Sequence, residues 1–371
     1  MSAADVGRPA LELRGVLEQL LPVHRAQWGM DDSFAARLAW QRLLADAGWA
    51  APAWPQAYGG KGLDAVDRVE CDREIAESGA LPMAGVLGLQ NVGPALIMFG
   101  DADQQCSLAR ILHGDEIWVQ GFSEPGAGSD LAGLRTRADL RGDTFVVNGQ
   151  KVWTTAGMEA THMLLLARTD PDAPKHRGIS AILVDLDTPG VERRPLRQIT
   201  GEYGFAEFFF TDVEIPRAGL LGPLHGGWAV TTKTLGYERT GVINSAARLE
   251  REVRELAQTL EVRDAVLRDQ LTQRWIEARL TALMGARALA RLRDGESPGA
   301  EQSIIKFAWS QATSRLGETV LDVSGHAGIL ASSPAARRFV ASRSSTIAAG
   351  TTEIMRNLLA ERVLGLPREP G

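Results

Sequence analysis

The sequence predicts an α+β protein in which a β domain lies between two helical ones. Three observations carry that expectation. Apolar residues recur at helical spacing up to about residue 115, the pattern shortens to that of strands until about residue 222, and long amphipathic helical patterns fill the remainder of the 371 residues. The expected domains are therefore 1–115, 116–222 and 223–371.

In the first region, "SFAARLAWQRLLADAGW" places Phe34, Leu38, Leu43 and Leu44 near helical spacing, and "GWAAPAWPQAYGGKGLD" ends the pattern with Pro and Gly. Further helices are expected over "AVDRVECDREIAESG" and "LQNVGPALIMFG". In the second region, "TFVVNGQKVW" sets Asn148-Gly149 between two β-prone runs, which predicts a hairpin turn there. "HMLLLAR", "GISAILVDL" and "AEFFFTDVEI" read as further strands. In the third, Ile276, Leu280, Leu283 and Leu289 form one stripe, and Ile305, Trp309, Ala312, Leu316 and Val320 another, as in a helical bundle.

Composition narrows the function. A formal charge of −6 argues against wholesale binding of nucleic acid or an anionic membrane, so an anionic ligand must meet a local basic pocket. "MSAADVGRPALELRG" carries Asp5 and Glu12 and no apolar signal-peptide core, and no apolar run is long enough to span a bilayer. Cys71 and Cys106 sit apart, without histidines at metal-ligand spacing, and read as reduced, buried thiols of a cytoplasmic protein with no metal.

Three stretches carry chemistry. "GFSEPGAGSD" (121–130) sets small residues beside Ser123 and Ser129, so backbone can approach a flat or phosphorylated ligand; a surface turn has the same composition. "KVWTTAG" (151–157) puts Trp153 beside threonine hydroxyls, which suits an aromatic cofactor and equally suits a core strand. "STIAAGTTEIMRN" (345–357) has the makings of a helix N-terminus at Gly350, Thr351, Thr352 and Glu353.

The order and setting of these stretches, with "GWAAPAWPQAYGGKGL", "LRQITGEYGFAEFFFTDVEIP" and "GTTEIMRNLLAERVLGLP", resemble the acyl-CoA dehydrogenase family along nearly the whole chain. The resemblance implies that family's fold, an N-terminal helical domain, a β domain and a C-terminal bundle used for oligomerisation, and it implies bound FAD. Phe122 and Ser123 would contact the flavin through backbone and hydroxyl, Trp153 would lie against the ring, and Thr155 would hydrogen-bond near N5. Ser129 would stand near the acyl-CoA entrance, and Thr351 and Glu353 would help hold the dinucleotide.

Many members carry a glutamate base immediately before the Gly-Thr of the last stretch. Here that residue is Ala349, whose N–H, as the family geometry implies, would still polarise the thioester carbonyl together with a flavin ribityl hydroxyl. A branch of the family carries its base in a Leu-x-x-Glu-Arg pattern, which "TLGYERTGV" matches with Glu238 and Arg239. The implied reaction is α,β-dehydrogenation to a trans-2-enoyl thioester. Glu238 would take the α-proton and flavin N5 the β-hydride, with Arg239 and Ala349 at the substrate.

Two signatures depart from the family. "LEVRDAVLRDQL" stands where Arg-x-x-Phe-Gly is usual, and "DVSGHAG" has Asp322 in place of glutamine and His326 in place of glycine. The resemblance implies that Asp322 and Gly325 belong to the part that would serve a neighbouring subunit's flavin. A homotetramer and a heterotetramer with a second family member both remain, the latter as in bacterial enzymes acting on steroid side-chain CoA thioesters. The implied substrate is acyl-CoA or an acyl carrier protein thioester, within lipid metabolism, and the implied acceptor an electron-transfer flavoprotein. The alternatives are a non-catalytic partner subunit and a flavin oxidase or monooxygenase on the same fold.

Overall fold

The computed structural model describes residues 7–259, 264–296 and 301–367, and their side chains except at 235–240, 259 and 301. The chain divides into two compact units, Met1–Glu238 and Arg239–Gly371.

The first unit opens with helices α1 (Arg8–Trp28), α2 (Phe34–Asp46), α3 (Ala65–Glu77), α4 (Gly93–Phe99), α5 (Ala102–Gln105) and α6 (Ser107–His113). Helix α1 buries Ala10, Leu13, Leu17, Leu21 and His24, one stripe at helical spacing, and α3 starts where the Asp64 carboxylate accepts the Val66 and Asp67 N–H groups. In α2 the buried residues are Ala36, Trp40, Gln41 and Leu44, while Phe34, Leu38 and Leu43 are half-buried. Of the two free thiols, Cys71 is buried and Cys106 is exposed, so the expectation of two buried cysteines holds for the first alone.

Eight strands follow among the described residues: β1 (Trp118–Gly121), β2 (Arg137–Arg141), β3 (Thr144–Thr155), β4 (His162–Arg168), β5 (Ile179–Asp185), β6 (Val191–Leu196), β7 (Phe205–Pro216) and β8 (Leu220–Leu221). They form one sheet in the order β6-β7-β3-β2-β4-β5-β8, with β1 pairing in parallel with β4. The apolar run of β4 is buried on both faces, as a central strand requires.

The hairpin turn is not at Asn148-Gly149. Strand β3 runs straight through that pair, and the β2–β3 turn lies at Gly142, where φ is +62°. At Asn148 the register against β7 slips by one residue, a β-bulge, and the Asn148 amide bonds Asp212 at 2.9 Å. A Cβ at Gly149 would stand 2.7 Å from the Thr136 Cα, so glycine is there for close approach of β2's flank.

The second unit is helical: the remainder of α7 (Gly227–Thr259), α8 (Ala265–Arg293), α9 (Glu301–Val323), α10 (Gly325–Gly328), α11 (Pro334–Ser342) and α12 (Thr352–Leu358). Its core joins Leu249 and Val253 of α7, Leu271 and Ala278 of α8, Ala312, Leu316 and Val320 of α9, and Ala335 of α11. Of the stripe expected on α9, Ile305, Ala312, Leu316 and Val320 are buried and Trp309 is half-buried against them. The one expected on α8 is not inside: Ile276, Leu280 and Leu283 are exposed and only Leu289 is buried, because α8 turns Leu271, Ala278, Gly285 and Ala288 inward instead. Among the described residues no helix is long and apolar enough to cross a membrane.

Candidate active site

The glycine-rich stretch leaves β1 as a loop whose backbone is tied to β3. Glu124 and Ala127 exchange backbone hydrogen bonds at 3.0 and 3.1 Å, closing the turn around Pro125. The Val152 N–H donates to the Ser123 carbonyl at 2.9 Å, and the Lys151 ammonium donates to the Phe122 carbonyl at 2.9 Å. Phe122 is buried, Ser123 half-buried and Ser129 exposed. The two sequence motifs are therefore one structural object, with Phe122 and Ser123 held against the run that leads to Trp153.

A charged pair missed in the sequence holds them. Lys151 is wholly buried and donates to Glu124 Oε1 at 2.8 Å. The Glu124 oxygens also accept the Thr136 N–H at 2.8 Å and the Arg135 N–H at 2.7 Å. Burial pushes the Lys151 ammonium down to about 8, with Glu124 pulling the other way. Burial raises the Glu124 carboxyl, but the charge of Lys151 and these hydrogen bonds outweigh it, and the net shift is below the usual range. The available signal was one acidic and one basic residue, each standing among small or apolar neighbours of two ligand-type motifs.

Trp153 sits on a second bulge. Lys151 pairs with Phe208 and Thr154 with Ala206, so β3 carries one residue more than β7 between these pairs. Trp153 takes the left-handed conformation, φ +61°, which costs a bulky side chain about 1–3 kcal/mol. Its indole is 60% exposed and touches Phe205 edge-on at 6.0 Å. Thr155 is exposed beside it, whereas the Thr154 hydroxyl and the Gln120 amide nitrogen are buried without a hydrogen-bond partner among the described residues. An exposed aromatic plane on a strained bulge, with an exposed threonine and an unpartnered threonine hydroxyl next to it in the chain, fits a planar heteroaromatic cofactor such as the FAD that the sequence implies. A separate cavity of about 230 Å3, lined by Trp49, Trp54 and Met98 among others, includes none of the sequence-derived site residues.

In the second unit, Ala349 is also left-handed, φ +54°, and precedes Gly350 at φ +99°. Helix α12 then starts as expected, with the Thr351 hydroxyl accepting the Ile354 N–H at 3.2 Å, and Glu353 is exposed in its first turn. Gln311 donates to the Thr352 hydroxyl at 3.0 Å, and the buried Lys306 to the Ser345 carbonyl at 2.6 Å, so α9 holds both ends of this segment. Asp322 and Gly325 are exposed at the far end of α9, and among the described residues no hydrogen bond joins them to Thr351 or Glu353. The Glu238 and Arg239 side chains lie outside the described residues, although their backbone is within α7.

Family models agree with this architecture along the chain. Those described as acyl-CoA dehydrogenase N-terminal, middle and C-terminal domains match residues 11–115, 120–213 and 225–364. Acyl-CoA dehydrogenase IpdE1 of Mycobacterium tuberculosis is 39% identical over 352 residues, covering 91% of this chain and 90% of the relative. Among solved structures, the Tcur3481-Tcur3483 steroid ACAD superposes with a TM-score of 0.85 at 28% identity, covering 100% of this chain and 99% of that one. The ChsE4-ChsE5 complex from Mycobacterium tuberculosis gives a TM-score of 0.82 at 30% identity, covering 100% and 99%.

Proposed function

Since this chain belongs to the acyl-CoA dehydrogenase family and is an oxidoreductase acting on CH–CH groups, we propose that it binds FAD and that Glu238 removes the substrate's α-proton. The observation that carries the cofactor reading is Trp153, a large aromatic side chain held outward by a left-handed bulge in the matched middle domain. FAD, when bound, supplies a hydride acceptor at N5 for the hydrogen leaving the substrate's Cβ.

The chain's own residues do the rest. The α-proton of a thioester is weakly acidic, so its removal needs a carboxylate placed within hydrogen-bond reach and kept from water; Glu238 supplies it. As negative charge moves onto the thioester carbonyl, the Ala349 N–H donates to that oxygen, and Arg239 adds a fixed positive charge at the substrate. Phe122, Ser123, Trp153 and Thr155 orient the flavin, Thr351 and Glu353 its dinucleotide end, and Ser129 the acyl-CoA. The Thr351 oxygen is already an acceptor in the helix cap, which leaves its O–H proton to give. The product is the trans-2-enoyl thioester.

Heteromeric assembly has a specific support: two of the solved neighbours, Tcur3481-Tcur3483 and ChsE4-ChsE5, each carry two protein designations. With Asp322 and His326 at altered family positions, this chain is read as the base-bearing member of a pair, with Asp322 and Gly325 directed to a neighbouring subunit's cofactor.

Anaerobic mixing with an acyl-CoA tests the reading. The wild type, with a partner chain added if the protein alone is colourless, is expected to lose its visible flavin absorption. Glu238→Gln is expected to keep the flavin and bleach about 10²–10⁴-fold more slowly. Equal bleaching in that variant would remove Glu238 from the mechanism. Slow reoxidation of the reduced protein in air is expected with an electron-transfer flavoprotein as acceptor, and fast reoxidation would indicate an oxidase.

A further inference from the structure

We propose that Lys151 is a positioning residue for the cofactor: with Glu124 it clamps the peptide between Phe122 and Ser123, so that the Ser123 N–H and hydroxyl are presented to the flavin. This inference rests on the FAD reading above.

One peptide plane, between Phe122 and Ser123, sets the geometry. In a trans peptide the C=O and N–H point to opposite sides, so fixing one direction fixes the other. The Phe122 carbonyl is drawn onto the Lys151 ammonium at 2.9 Å, which turns the Ser123 N–H away from β3's interior. The next carbonyl, Ser123, is taken by the Val152 N–H at 2.9 Å. Two successive peptides of the loop are thus set by two successive residues of β3, and the next residue of β3 is the outward Trp153. One short run of strand registers both elements that contact the flavin.

A fully buried ammonium is an expensive way to hold a loop. Replacing a buried ion pair with apolar side chains of similar size is often neutral or stabilising, so stability alone gives little reason for Lys151. Glu124 is what lets the charge stay inside: its carboxylate joins Lys151 to the Arg135 and Thr136 N–H groups, bracing the loop from the β2 side. Apolar residues would fill the same space but leave the Phe122 carbonyl free to rotate.

The test compares wild-type protein with Lys151→Met, which keeps the stem and leaves Glu124 unpaired, and with Lys151→Met/Glu124→Gln, which removes both charges. Each is stripped of flavin, and FAD affinity is measured by fluorescence titration with thermal unfolding of the apoprotein alongside. Lys151→Met is expected to lose both stability and FAD affinity. The double variant is expected to melt within a few degrees of wild type yet to bind FAD at least tenfold more weakly, with a shifted flavin absorption maximum. A double variant that binds FAD within twofold of wild type overturns the proposal, and so does one that fails to fold, since the pair would then serve folding itself. If wild-type apoprotein takes up no FAD even with a partner chain, the cofactor reading fails first, and the two failures are distinguishable.

Discussion

At Trp153 the polypeptide accepts two penalties at once, a left-handed backbone and an exposed indole. Ala156, in the same stretch, and Ala349, before Gly350, carry positive φ values of 53° and 54°. Neither alanine nor tryptophan can bond its own backbone in that conformation as a short Asn or Asp side chain does, so the surrounding ladder and helix contacts must impose it. Trp153→Gly is therefore expected to leave apoprotein stability unchanged or raise it by about 1 kcal/mol, because glycine accepts the backbone and little buried surface is lost. The same change is expected to weaken FAD binding at least tenfold. Thermal unfolding of the apoprotein and FAD titration, run side by side, would reveal this opposition, and a fall in both would show that the indole serves packing instead.

At the scale of elements, β3 shows how one glycine can be misread. Asn-Gly between β-prone runs is the signature of a tight turn, but the same pair can also lie in a continuous strand opposite a bulge, here in β7 at Asp212 with φ +47°, and only the neighbours decide. Here the turn formed seven residues' reach earlier in the chain at Gly142, and Gly149 serves the approach of Thr136. Gly149→Ala is expected to destabilise by about 1–3 kcal/mol, read as a lowered urea midpoint, since its Cβ would press on backbone. A neutral result would mean the β2 flank yields.

Legibility followed the same physics. Strand β4 is legible to its ends because a buried central strand is apolar throughout, and the start of α12 because its cap is written in Thr351. Strands β2, "RADLR", and β6, "VERRPL", carry little apolar signal in the sequence; their ladders with β3 and β7 define them. Of the site, the flavin-type motifs were visible as motifs, but the Lys151–Glu124 pair joins residues 27 apart, and periodicity cannot show such a bond.

For the molecule as a whole, the exposed stripe of α8 matters most. Trp275, Ile276, Leu280 and Leu283 follow helical spacing and stay open to solvent, although the sequence marked most of them for burial. The pattern was right about hydrophobicity, while the chain's own core needed the other face of the helix. A stripe of this kind is what an interface between chains covers. The protein is expected to elute as a species larger than one chain, and Leu280→Glu/Leu283→Glu to shift it toward monomer. Unchanged elution would place the interface elsewhere.

The two thiols give a way to count chains in that species. Burial, first, and then nearby carboxylates push the Cys71 thiol up to about 12, so at neutral pH it is closed to electrophiles, whereas Cys106 stands at the surface between α5 and α6. A maleimide dye should therefore mark each native chain once. If this chain is labelled before a partner chain is added, the number of dyes that bleach stepwise from a single particle would report how many copies of it the assembly holds.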